Sequence, residues 1–305
     1  MTQLQYKGTG SVTDRTGSRY WRSKSAYLGV IPFLIVSGLF LLYPTWNVAS
    51  GAFQDNYGKF STSVLKEVFN SPVARHAFGN SLEISIKTAI AGAIMGGLFA
   101  WAIVNGKRDG IFYRFSVALS SVLAQFGGVM LTFAFLATFG FNGLVANIAL
   151  KVAPNSFLAE SSWLYGMLGL SILYTFFQIP LMVLVFLPTL ENLKPQWREA
   201  SDALGGKAWE YWLRIGIPIL TPSFAGAALL LFVNSFSAYA TAQTLINLSD
   251  FLTPLEIATA LTSETGGSNP AEAKSLSFYM VVVVIIAMTF YALLRRRVSR
   301  WEQRR

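Results

Sequence analysis

Six stretches of about twenty mostly apolar residues, each long enough as a helix to cross a hydrocarbon core, dominate this 305-residue chain. They run from Ala26 to Val48, Leu82 to Val104, Phe115 to Phe139, Leu164 to Leu187, Ser223 to Leu245 and Leu276 to Leu294. Backbone amides in lipid must pair within the segment, and these windows are too long and too uniformly apolar for the alternating strands of a barrel. The expected fold class is therefore all-α, a polytopic membrane protein with six transmembrane helices. Composition agrees: 53% of residues are apolar and only 13% charged, too little polar surface to clothe a soluble globule of this size.

The net charge of +9 does not signal a nucleic-acid partner, because the basic residues sit between the apolar runs rather than on a soluble domain. They carry topology instead. One set of segments holds Lys7, Arg15, Arg19, Arg22 and Lys24, then Lys107, Arg108 and Arg114, then Lys194, Arg198, Lys207 and Arg214, and finally the arginines from Arg295 to Arg305. The alternate segments hold only Lys59, Lys66, Arg75, Lys151 and Lys274, with Asp55, Glu67, Glu160, Asp250, Glu256, Glu264 and Glu272. An excess of Lys and Arg marks the cytoplasmic side, so both termini and the loop before the fifth window are expected inside. The first window exceeds the length of a secretory signal core, which argues for a retained span even though Ala49 and Ser50 are small enough to flank a cleavage site. The chain has no cysteine and a single histidine, His76, so neither a metal centre nor thiol chemistry is expected.

The inner loop from Glu191 to Pro222 reads as two short amphipathic helices and a bend. Asn192 is placed to cap the first helix, Pro195 suits its first turn, and Gly205 and Gly206 suit the left-handed turn that ends it. A second helix is expected from Ala208 until Pro218 disrupts it. Trp197, Ala200, Ala203 and Leu204 share one face of the first helix, and Trp209, Trp212 and Leu213 one face of the second. Glu199, Asp202, Glu210 and Arg214 are left for water or a partner. Physics alone is equally satisfied by a hairpin whose tryptophans lie at the headgroup level. The run Gly205-Gly206-Lys207 is no phosphate loop, because Ser201 stands where the first glycine is required and Ala208 where a magnesium-binding hydroxyl is required.

The same stretch resembles the EAA loop of binding-protein-dependent ABC importer permeases: Glu-Ala-Ala, three residues, Gly, nine residues, Ile, one residue, Leu-Pro. Glu199, Ala200, Gly205, Ile215 and Pro218 meet that pattern at its spacings, with Ser201 for the second Ala and Ile217 for Leu. The resemblance implies a type I importer permease in the bacterial plasma membrane, with a tail over residues 1–25, a transmembrane domain over 26–305 and a coupling hairpin over 191–222. It also implies that Glu199, Ala200, Ser201, Asp202, Leu204, Gly205, Ile215 and Pro218 dock on an ATP-binding subunit. The implied partners are two such subunits, a second permease copy or homologue, and an extracytoplasmic solute-binding protein. ATP and magnesium would then belong to the partner ATPase, with no cofactor on this chain and no enzymatic activity of its own. Asn80-Ser81-Leu82, the small-residue run Ala89 to Gly97, and Ala100-Trp101-Ala102 resemble the branch serving polyamines, ferric iron, sulfate, thiamine and phosphonates.

Polar residues at membrane depth are the candidates for a substrate pathway: Gln125, Tyr174, Gln178, Asn234, Ser237 and Tyr239. Each is equally able to bond a neighbouring helix. Gly92, Gly96 and Gly97 are expected to let helices approach closely, and Glu83 and Lys87 to pair along one turn. A polycation would want unpaired carboxylates in the cavity, and few exist. The outer segment from Ile246 to Ser275, with Pro254, Gly266, Gly267 and Pro270, has room for a short helix and a loop meeting a binding protein, and an ordinary surface loop accounts for it as an alternative. The alternative transport reading, an ion-gradient-driven secondary transporter, predicts paired broken helices and a buried ion-binding carboxylate. An intramembrane enzyme would need a catalytic constellation within the spans, and the sequence offers none.

Overall fold

The computed structural model describes residues 24–302 apart from 56, 107–109, 247–251 and 263–268, with side chains described between residues 30 and 293. Residues 1–23 of the expected tail, with Lys107, Arg108, Asp250, Glu264, Gly266 and Gly267, lie outside the described residues, as do the side chains of the C-terminal arginines. Apart from one isolated bridge between Gln54 and Phe60, every described regular element is helical. Six helical stretches have the length and apolarity to cross a membrane: Val30–Gly51, Pro72–Asn105, Val129–Val152, Met167–Glu191, Ala208–Phe236 and Pro270–Leu293.

The described residues fall into two compact units that divide between Asn47 and Val48. The first contains α1 (Lys24–Ser37), which continues through a π-helical turn (Gly38–Leu42) into α2 (Tyr43–Gly51). In that turn the Tyr43 amide donates to the Gly38 carbonyl, five residues back. The widened turn immediately precedes Pro44, which has no amide hydrogen and would crowd the carbonyl four residues behind it.

The second unit continues with α3 (Ser63–Asn70), α4 (Pro72–Asn105), α5 (Ile111–Gln125), α6 (Val129–Phe139), α7 (Leu144–Val152) and α8 (Met167–Glu191). Beyond these come α9 (Pro195–Ala203), α10 (Ala208–Tyr211), α11 (Ile217–Phe236), α12 (Ala240–Leu245), α13 (Thr253–Thr262) and α14 (Pro270–Glu302). Helix α4 starts where the Ser71 hydroxyl accepts from the Ala74 amide and Pro72 occupies the first turn. Its small-residue stripe packs on α8. A Cβ at Gly96 would fall 2.6 Å from the Met182 Cβ and 2.7 Å from the Ile179 carbonyl oxygen, so the close approach expected of the glycines is present. Around this contact one buried cluster joins Ala89, Ala93, Ala100 and Ile103 of α4 to Met182, Val183 and Phe186 of α8 and Leu231 of α11. A second joins Ile84, Leu131, Leu173, Tyr174, Phe177 and Ala242 toward the other end of α4.

Two expected spans are not continuous. The third window divides into α5 and α6 at Phe126 to Gly128, and the fifth breaks between α11 and α12 at Ser237 to Tyr239. The fourth begins later than expected, because Leu164 lies in a short 3-10 turn (Ser161–Tyr165) ahead of α8.

Candidate functional site

The chain leaves α8 at Glu191 and doubles back through α9 and α10 before entering α11. Two expectations for this hairpin need correction. Asn192 does not cap α9: α8 runs on to Glu191, Asn192 closes it, and Lys194 stands at the start of α9 with Pro195 in the first turn. Nor does Pro218 end the second helix. A π-helical turn (Trp212–Gly216), in which the Ile217 amide donates to the Trp212 carbonyl, lets the helix run through Pro218 into α11. The arrangement matches the turn ahead of Pro44.

The bend itself satisfies the backbone groups that α9 leaves over. Gly205 has φ 78°, its amide donates to the Asp202 carbonyl, and the Gly206 amide reaches back to the Ser201 carbonyl at 2.9 Å. This is the paired closure of a Schellman turn, with Gly205 as the left-handed residue. Gly206 serves a different need: a Cβ there would lie 2.7 Å from the Ser201 hydroxyl. On the far side the Glu210 carboxylate accepts from the Lys207 amide at 2.9 Å and caps α10.

Between the two helices lies a groove of 510 Å³, lined by Trp197, Ala200, Ser201 and Leu204 on one side and Glu210, Arg214, Ile215 and Ile219 on the other. No residue of α9 is buried, and Leu204 is 90% exposed. The eight motif residues divide by this geometry. Ala200, Ser201, Leu204, Gly205 and Ile215 shape the groove, whereas Glu199, Asp202 and Pro218 lie outside it, Glu199 and Asp202 exposed and without an ion-pair partner among the described residues. An amphipathic helix whose apolar face is left bare beside charged neighbours presents the features of a docking element. The hairpin is tied to the bundle where the Tyr113 hydroxyl of α5 donates to the Glu191 carboxylate at the end of α8. Nothing in the sequence signals that bond, since the two residues are far apart in the chain.

The six candidate pathway residues fall into two groups. Tyr174 and Gln178 are buried: the Tyr174 hydroxyl donates to the Ala238 carbonyl at 2.7 Å, and the Gln178 amide donates to the Thr88 hydroxyl at 3.2 Å. Gln125, Asn234, Ser237 and Tyr239 are exposed and flank the two helix breaks. Gln243 of α12, also exposed, joins them, although sequence reasoning missed it. The Ser237 hydroxyl donates to the Val233 carbonyl at 2.9 Å, whereas the side chains of Gln125, Asn234, Tyr239 and Gln243 make no hydrogen bond among the described residues, and irregular backbone in a span is tolerated where it is covered by protein or lines an aqueous cavity. The breaks meet one expectation of the secondary-transporter alternative. Its other requirement, a buried carboxylate within a span, is not met by Glu83, which pairs with Lys87 on the exposed side of α4, nor by Glu256, whose buried oxygen lies on α13 outside the six apolar stretches.

A family model described as the binding-protein-dependent transport system inner membrane component matches residues 89–300. The chain is 26% identical over 178 residues to the sulfate transport system permease protein CysT of Escherichia coli, covering 57% of this chain and 59% of that one. It is 24% identical over 242 residues to the putative ferric transport system permease protein FbpB 1 of Haemophilus influenzae, covering 79% of this chain and 34% of that one. The matched region thus spans less than two thirds of either relative. Among solved structures, the bacterial alginate ABC transporter bound to its alginate-loaded periplasmic protein superposes with a TM-score of 0.70 at 16% identity, covering 90% of this chain and 94% of that one. The MetNI methionine ABC transporter gives 0.56 at 13% identity, over 74% and 95%. The chain belongs to the binding-protein-dependent transport system inner membrane components and is a multi-pass plasma-membrane protein.

Proposed function

We propose that the α9–α10 hairpin is the lever through which a cytoplasmic ATP-binding subunit drives this permease. The observation that carries the reading is the hairpin's construction: a rigidly closed turn holds an uncovered apolar groove beside two unpaired carboxylates, Glu199 and Asp202. Closure of two ATP-binding subunits around ATP and magnesium would move the hairpin, and α11, continuous with α10 through the π turn, and α8, joined to α9 by residues 192–194, would carry that motion into the bundle. Hydrolysis belongs to the partner. The permease pairs with a second copy or a homologue, and an extracytoplasmic protein delivers the solute.

The same reading assigns Gln125, Asn234, Ser237 and Tyr239 to the translocation face, where neutral polar groups suit a small polar solute released by that protein. The relatives' sulfate and ferric names, and the thiamine transport permease ThiP matched over part of the chain, support the oxyanion, iron and thiamine branch as the source of candidates. Replacing Glu199 by Arg tests the lever. Co-purification of the ATP-binding subunit is expected to weaken by about tenfold, equivalent to ~1.4 kcal/mol of docking energy, while membrane insertion is kept. Wild-type co-purification and substrate-stimulated hydrolysis would remove the coupling role.

A further inference from the structure

Two spans are interrupted side by side. Gly128 has φ 65° and ψ −137°, a conformation that L side chains rarely adopt, and a Cβ built there would sit 3.6 Å from the Cβ of Ala240, just beyond the second break. Phe126 from one break and Ala238 from the other pack against the same buried cluster, which contains Tyr174 of α8. Tyr174 is 1% exposed, and its hydroxyl donates at 2.7 Å to the Ala238 carbonyl inside the break. Tyr174 therefore holds the second interruption by a hydrogen bond and belongs to the buried cluster against which the first one packs.

We propose that Tyr174 is a positioning residue of the translocation pathway, holding the two breaks together in a closed hinge from which α6 and α12 part once in each transport cycle. The inference rests on the reading that the polar face around the breaks lines that pathway. Its physical basis is where bending is cheap. Rotating α6 or α12 about a break disturbs backbone that has already left the helical ladder, whereas bending α4, continuous from Pro72 to Asn105, would sever bonds that lipid cannot replace. The Tyr174 bond is then the main polar contact to be exchanged.

The chain has no cysteine, which gives a direct test. In the assembled transporter in proteoliposomes, the double variant Gly128→Cys/Ala240→Cys places two sulfurs within disulfide reach, since Cβ separations of roughly 3.5–4.5 Å suit that bond. Oxidation is expected to cut ATP-driven uptake by about tenfold or more, with the ATP-binding subunit still bound, and reduction to restore it. The single variant Gly128→Cys, treated identically, separates backbone strain from cross-linking. Unchanged uptake in the fully cross-linked protein would overturn the hinge. If the double variant does not assemble, Tyr174→Phe decides. Loss of the hydroxyl alone is expected to lower solute moved per ATP hydrolysed, with the half-saturating concentration of loaded binding protein unchanged. An unchanged ratio overturns the proposal. Uptake by the parent without any ATP-binding subunit would instead overturn the functional reading beneath it.

Discussion

Gly205 and Gly206 stand next to each other in the bend but resist substitution for different reasons. At Gly205 nothing lies within 4 Å of where a Cβ would go, so the cost of a side chain comes from the left-handed backbone alone. Gly205→Ala is accordingly expected to destabilise the hairpin by about 1–2 kcal/mol, and Gly205→Asn by much less, because Asn tolerates that conformation. Amide exchange in α9 would measure the difference. Equal protection in both variants would mean that the turn does not hold the helix. The left-handed turn was legible from the sequence, since a glycine pair after an amphipathic run is a stop signal. The contact that excludes a side chain at Gly206 was not, because it depends on how Ser201 is turned. Asn192 shows the opposite failure: its side chain suits an N-cap, but α8 runs on to Glu191 and Asn192 closes that helix instead of opening α9.

Among helices, the fit of α4 against α8 depends on which glycines face the contact. Gly96→Ala drives a methyl into Met182 and the Ile179 carbonyl, and an overpacking cost of about 1–3 kcal/mol is expected. Gly79→Ala, on the same helix with open space around it, is expected to stabilise by up to about 1 kcal/mol. Opposite shifts in thermal unfolding of the detergent-solubilised protein would establish the contrast. The packing of α13 on α14 should respond to pH. Burial, and then the charge of Glu272, raise the pKa of the Glu256 carboxyl, one of whose oxygens is buried without a hydrogen-bond donor. A raised folded-state value favours the protonated form, so this contribution to stability is complete below the ordinary carboxylate value of 4.5 and is lost as pH rises through the folded value. Glu256→Gln is expected to abolish that loss, which exchange protection of α13 at acidic and neutral pH would show. Helix continuity is what hydropathy conveys least. The windows containing Phe126 to Gly128 and Ser237 to Tyr239 are apolar on average, yet the backbone breaks there, while Pro218 looks like a stop and the helix passes through it by widening one turn.

For the whole molecule, the six-span, all-helical plan was readable because lipid allows so few ways to satisfy a backbone, and the hairpin because its motif spacing is also the spacing of a Schellman turn between two helices. The polar face was only half readable: sequence marks Tyr174 and Asn234 alike as polar residues at membrane depth, and only packing separates the buried tyrosine from the exposed asparagine. That separation makes a prediction about the assembled transporter. Single cysteines in place of Gln125, Asn234 or Tyr239 should react with a water-soluble thiol reagent, because a face carrying uncovered amides and hydroxyls across a span is stable only against water or protein. Cysteines at Ile94 or Ile285, exposed but surrounded by apolar residues, should stay unmodified until the bilayer is dissolved. Silence at all three polar positions throughout the ATP cycle would mean that a partner subunit buries the face permanently, and would move the solute's route elsewhere in the bundle. Reaction that appears or vanishes with ATP would mean that water reaches the face in only one orientation, as alternating access requires of a pathway.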